Sequence, residues 1–168
     1  MKKVIFITAP KLFRDEEYYE PKKILETKQI KVITSSLKIG ELLGKFGFKT
    51  KSTILIKNII PSNFDAIAYI GGTGASVFFN DFYALKLAKI FAKQGKPTGA
   101  ICIAPVILAN AGVLKNKKST AFAEVKNIII KKGAIYTGNA LEIDNNIITA
   151  NGPKSSKIFG VSFLNKLL

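Results

Sequence analysis

Cys102 is the only cysteine of the chain, and it stands where a buried strand should give way to a helix. Thr98 to Ile101 form a short apolar run of strand character. Pro105 suits the first turn of a helix, where a missing N–H costs nothing, and Gly112 suits the helix end. Ala100 and Ala104 flank the cysteine two residues away on either side, close to the small-x-nucleophile-x-small spacing of a nucleophile elbow. A thiol at such a turn meets free backbone N–H groups and the positive end of the helix dipole, and both favour the thiolate. The sequence therefore predicts a reactive thiol, more acidic than an ordinary cysteine. A buried structural cysteine is the alternative, and the elbow context weighs against it.

The chain contains no histidine. That removes Ser-His-Asp and Cys-His catalysis, imidazole proton shuttles and histidine metal sites. What remains for chemistry is the cysteine, carboxylates, tyrosine, lysine and backbone groups. A single cysteine rules out an internal disulfide and any cysteine-cluster metal site, and it fits a reducing cytoplasm. No metal and no cofactor is expected.

The net charge is +15 over 168 residues, and every basic residue except Arg14 is lysine. The lysines are scattered, in blocks no longer than two. A dedicated nucleic-acid module concentrates its charge and uses arginine for bidentate contacts. Weak, non-specific polyanion binding is the most this pattern implies. The apolar run near the start, Val4 to Ile7, is too short for a secretory h-region and reads as a first strand. The stretch from Ala100 to Leu114 is broken by Pro105, Asn110 and Gly112, so no membrane span is expected.

The elements around the thiol alternate in type. Strands are predicted at Lys2–Thr8, Ile30–Thr34, Lys51–Ile56, from Phe64 into the Gly71-Gly72 turn, at Ser119–Phe122 and at Ala134–Thr137. An acidic, aromatic segment from Phe13 to Pro21 leads into a helix. Leu37–Phe46 has helical spacing, weakened by Gly40 and Gly44. Phe78–Lys93 and Ser155–Leu167 read as amphipathic helices. Glu124–Lys132 is ambiguous, and element order favours a helix ending at Gly133. Leu141–Thr149 reads as a hairpin turning at Asp144-Asn145-Asn146. One α/β domain over residues 1–168 follows: a doubly wound, mainly parallel sheet sandwiched by helices, flavodoxin-like, with a small β-hairpin near the C-terminus. Function in such sheets collects at the carboxyl ends of the strands. The acidic loop, the Gly71-Gly72 turn and Cys102 all fall there.

Those segments together resemble the ThiJ/PfpI superfamily, which includes the parkinsonism-associated protein deglycase and the PfpI-type proteins. Glu17-x-x-x-Pro21 is similar to the family's Glu-x-x-x-Pro. Phe64-Asp65, followed after five residues by Gly71-Gly72, is similar to its Tyr/Phe-Asp…Gly-Gly strand. Gly95 to Cys102, then Ala104-Pro105 and Ala109 to Leu114, complete the ordered set. The resemblance implies Cys102 as nucleophile. It implies Glu17 as a protonated carboxyl group beside the thiolate, because two ionised acids would repel. It also implies the backbone N–H groups of Gly72 and Ile103 as an oxyanion hole. Taken alone, Glu17 reads as a solvated acid in a first helical turn.

Several positions depart from the family. Ile103 stands where many members carry histidine, and Phe122 stands near another family histidine. Ala104 replaces the elbow glycine, Ile70 the proline before Gly-Gly, and Arg14 an acid near Glu17. The expected function is glyoxalase- or deglycase-type chemistry on a small reactive aldehyde or glycated adduct. A redox or stress sensor acting through Cys102 oxidation is the alternative, and a cysteine peptidase or amidase is demoted by the missing histidines. The resemblance further implies a homodimer.

Overall fold

The computed structural model describes residues 1–168. Along the chain run β1 (Lys3–Ile7), β2 (Lys11–Phe13), α1 (Asp15–Glu26), β3 (Lys31–Ser36), β4 (Gly40–Gly44), β5 (Lys49–Ser52) and β6 (Ile54–Leu55). They are followed by β7 (Ala66–Tyr69), α2 (Phe82–Lys93), β8 (Thr98–Ile101), α3 (Pro105–Asn110), β9 (Lys118–Ser119) and α4 (Lys126–Lys131). The chain ends with β10 (Ile135–Tyr136), β11 (Leu141–Asp144), β12 (Ile147–Ala150) and α5 (Ser156–Leu167). No helix is long and apolar enough to cross a membrane.

Seven strands form the main sheet in the order β11-β12-β8-β7-β1-β3-β6. All pairs are parallel except the β11–β12 hairpin. The doubly wound α/β architecture and the C-terminal hairpin expected from the sequence are both present. The central strands β1, β7 and β8 are buried on both faces, as parallel strands covered by helices must be. One face of the sheet packs on α1 and α5 through Tyr18, Leu25, Phe159 and Phe163. The other packs on α2, α3 and α4 through Leu87, Phe91, Ile107 and Ile129. The chain order reverses at β1, which lies between β3 and β7. Segments leaving β1 and β7 therefore diverge, and a crevice opens at their carboxyl ends.

Local chemistry explains the boundaries. Asp81 caps α2 by accepting from the Ala84 N–H at 2.8 Å. Pro105 opens α3, and Gly112 follows its end with φ of 77°. Glu124–Lys132 resolves as a 3-10 turn followed by α4. Helix α1 begins at Asp15, earlier than Pro21, which lies inside it and is buried. The early start puts Glu17 within the helix rather than in a loop.

The helix predicted over Leu37–Phe46 is absent. Its residues form β4, which pairs antiparallel with β5 in a small sheet that also contains β2. Leu42 and Gly44 are buried while Glu41 and Leu43 are exposed, a period of two rather than 3.6. The turn that follows uses Gly47 at φ of 94° and is held by Asp15, whose carboxylate accepts from the Phe46 and Phe48 N–H groups at 3.2 and 3.0 Å. The apolar spacing of this segment imitated a helix; Gly40 and Gly44 weaken one, and the bonds that the turn makes to Asp15 favour the strand pair.

Helices α1 and α5 approach closely at Gly160. A Cβ there would lie 2.7 Å from Pro21 Cα, which is backbone and cannot step aside. In an open helix, Gly→Ala stabilises by about 1 kcal/mol. Here the clash wins, because overpacking costs roughly 1–3 kcal/mol. Gly160→Ala is expected to lower the midpoint of urea unfolding, and a raised midpoint would contradict the close packing.

Candidate active site

Three chain segments converge at the crevice. The first is the start of α1, anchored where the Arg14 N–H donates to Gly71 O at 2.9 Å. The second is the Gly71-Gly72 turn after β7. The third is the elbow after β8. Cys102 has φ of 65°, the left-handed region that a non-glycine residue seldom occupies. Its N–H donates to Ala150 O at 2.9 Å, and its carbonyl accepts from the Phe122 N–H at 2.7 Å. Two backbone bonds thus hold a conformation costing about 1–2 kcal/mol, and they aim the side chain into the crevice rather than along the sheet.

Glu17 is fully buried, and neither of its carboxyl oxygens makes a hydrogen bond of normal geometry within the protein. Cys102, the Arg14 charge and the Gly71 N–H nevertheless lie near enough to bias its ionisation toward the anion. Burial outweighs them all and pushes Glu17 up to about 8, so it holds a proton at neutral pH. The solvated role that the first-turn position suggested is excluded by this burial.

The thiol moves opposite to the sequence expectation. Burial first, then the charge of Glu17 when ionised, pushes Cys102 up to about 12. The Gly72 and Ile103 N–H groups oppose that rise, which places both beside the sulfur. The six-residue helix that follows does not offset this burial. Two neighbouring acids out of water lose their protons one after the other, and the first loss belongs to the pair.

Gly71 is a further constraint. A Cβ on it would overlap Glu17 Oε2 and lie 2.6 Å from both Cys102 Cβ and Ile101 O. The glycine lets carboxyl and thiol approach each other across bare backbone. Gly72, at φ of 94°, has a Cβ position blocked by the Arg14 N and by Leu12 O at 2.6 Å. The sequence marked this pair of glycines as a turn but did not reveal which side chains Gly71 separates.

Beside the elbow lies an open groove of about 780 Å³, lined by Arg14, Phe122, Tyr136, Asn151, Lys154 and Ile158 among others. Cys102 and Glu17 are not among its lining residues. Phe122 connects the two regions, with its ring on the groove and its N–H on the Cys102 carbonyl. The Asn151–Ser155 turn went unread in the sequence, where only the start of the last helix was marked.

The model of the DJ-1/PfpI family matches residues 2–166. The chain belongs to that family. It is 37% identical to an uncharacterized protein of Methanocaldococcus jannaschii over 168 residues, covering 98% of this chain and 82% of the relative. It is 30% identical to a protein of Pyrococcus horikoshii named as a deglycase, covering 90% of each. It is 32% identical to YraA of Bacillus subtilis, whose name proposes a cysteine protease, covering 99% of each. Among solved structures, a ThiJ/PfpI domain protein of Brachyspira murdochii superposes with a TM-score of 0.96 at 32% identity, covering 98% of this chain and 95% of that one.

The raised Glu17 value has a consequence for stability. The unfolded carboxyl group titrates near 4.5 and the folded one near 8, so the native state retains a proton that the unfolded chain releases. Stability from this group is fully present below 4.5 and is lost as pH rises through 8. At about 1.4 kcal/mol per unit, the loss is on the order of 3 kcal/mol at pH 7. Glu17→Gln removes the titration. Its melting temperature relative to the parent chain should therefore climb from pH 5 to pH 8 and then level off. A difference independent of pH would mean that Glu17 does not hold a proton.

Proposed function

We propose that the Cys102–Glu17 pair carries out covalent thiol chemistry on small reactive carbonyls, of glyoxalase or deglycase type. The observation that supports it best is a fully buried carboxyl group without a protein hydrogen bond, set against the strained cysteine across Gly71. Once the pair has lost one proton, sulfur and carboxyl share the other. Sulfur attacks the carbonyl carbon, the carbonyl π bond breaks, and the shared proton passes to the developing alkoxide. The Gly72 and Ile103 N–H groups, beside the sulfur at rest, would hold that alkoxide. The chemistry needs no metal and no cofactor. The deglycase name of the Pyrococcus horikoshii relative is consistent with it.

Peptide hydrolysis is a poorer fit. An amine leaving group must be protonated as it departs, and the chain has no histidine to do it. A redox sensor is the second reading, favoured by the same protonated Glu17, which would donate to an oxidised Cys102.

Turnover of methylglyoxal tests the proposal. Activity should rise with pH through about 8, where the pair loses its first proton. Cys102→Ser should abolish it. Glu17→Gln, which cannot accept a proton, should lower it by about 100-fold or more. Unchanged turnover in Glu17→Gln would remove the pair from the mechanism. A protein inert to methylglyoxal whose Cys102 oxidises in dilute peroxide would favour the sensor.

A further inference from the structure

Arg14 is the only arginine of the chain, and it lines the groove next to the elbow. Its guanidinium is fixed on two sides. Glu16 accepts from Nε at 2.8 Å and from Nη2 at 3.3 Å, and the Phe46 ring lies 4.7 Å from Cζ. Two of its five N–H donors are thereby used, and the other three have no protein partner. The side chain is 28% exposed, open to the groove yet held in one orientation. Its backbone N–H is bonded to Gly71, and it precedes Glu17 by one turn of helix, so it cannot drift from the pair.

The charged residues lining the groove are Arg14, Glu16 and Lys154. Glu16 neutralises one cation, which leaves a single positive charge. That balance suits a monoanion better than a dianion. A guanidinium edge with parallel N–H groups suits a planar carboxylate. Phe122, Tyr136 and Ile158 make the remaining walls largely apolar, so an anion entering there finds Arg14 as its fixed donor.

We infer that the carbonyl compounds taken by Cys102 carry a carboxylate, and that Arg14 is the residue that selects them. The inference rests on Cys102 acting as a carbonyl nucleophile. Arg14 touches the carboxylate tail and takes no part in bond making. In the covalent step the sulfur of the singly deprotonated pair adds to the aldehyde carbon. One C–S bond forms, the C=O π bond breaks, and the proton shared by Cys102 and Glu17 ends on the new hydroxyl group, so no oxidant or reductant is needed.

Two aldehydes of equal carbon count isolate the charge: glyoxylate and glyoxal. Each is incubated briefly with the protein, and its protection of Cys102 against iodoacetamide is read by intact mass, which a single cysteine makes unambiguous. Glyoxylate should half-protect at a concentration about tenfold lower than glyoxal, the effect of one charge-assisted hydrogen-bonded pair. Arg14→Met should bring the ratio near one. Glu16→Gln, which releases the guanidinium, should raise it. A general disturbance of the site would not move the ratio in opposite directions. Equal protection in the parent chain, an unaltered ratio in Arg14→Met, or loss of the preference in Lys154→Met instead would each overturn the assignment. If glyoxal protects while glyoxylate shows no advantage, only the role of Arg14 fails. If neither protects, the carbonyl reading of Cys102 fails with it.

Discussion

Two acids share a space largely closed to solvent, Glu17 completely and Cys102 nearly so, and most features of the site follow from this. Glu17 has no solvent and no protein hydrogen bond with which to stabilise a charge. A lone carboxylate there would be severely under-solvated, so the proton stays until pH approaches 8. The sulfur beside it is then governed by the same proton. Whichever atom carries the proton, the other is the natural seat of the negative charge, stabilised by backbone N–H groups and by the nearby charge of Arg14. A site built this way needs close approach more than it needs additional side chains. Gly71 supplies that approach by having no Cβ, and the left-handed turn at Cys102 supplies it from the other side.

The fold delivers these parts with little adjustable structure. β1, β7 and β8 are adjacent parallel strands, and their carboxyl ends lie side by side. Each strand end contributes a different element: the start of α1, a glycine turn and the elbow. The small sheet then braces the acidic segment from outside. Asp15 accepts from two N–H groups of the β4–β5 turn, and Arg14 stacks on Phe46 of the same turn. Helix α1 is also tied from within, because the Tyr18 hydroxyl lies 2.7 Å from the Thr34 and Thr50 hydroxyls. Glu17 is therefore positioned from both sides of its helix, by contacts that do not touch its own carboxyl group.

How much of this was legible in the sequence differed by the kind of signal. The elbow was legible because Cys102, Pro105 and Gly112 punctuate it within eleven residues. The amphipathic helices and the C-terminal hairpin were legible through period and turn residues. Leu37–Phe46 was misread because three apolar residues fell at helical spacing, while the decisive facts were tertiary: Gly44 packs against Asp15, and the following turn bonds to the same carboxylate. The direction of the Cys102 shift was also misread. Sequence shows that a short helix follows the thiol but not how deeply the thiol is buried. Glu17 looked like an ordinary first-turn acid on its own, and only the resemblance to a family set it apart. Burial emerges when α1, α5 and the glycine turn close around it.

The scarcity of protons in the site also bears on which bonds it can work on. With the pair singly deprotonated, one proton remains to be given. Addition to an aldehyde needs one proton, at the new oxygen, and the reverse step returns it. Amide cleavage needs a proton at the departing nitrogen while the tetrahedral oxygen is still anionic, and then a base to activate water against the thioester. In Cys-His sites an imidazole serves both needs by cycling between its two states near neutrality. Glu17 is the one candidate here, and donating its proton to a nitrogen would leave an under-solvated carboxylate within a dry pocket. Carbonyl addition also leaves Glu17 ionised once the alkoxide has taken the shared proton, but it needs that proton only once, and the reverse step returns it. The same burial that raises Glu17 therefore biases the site toward reversible addition and away from hydrolysis of amides.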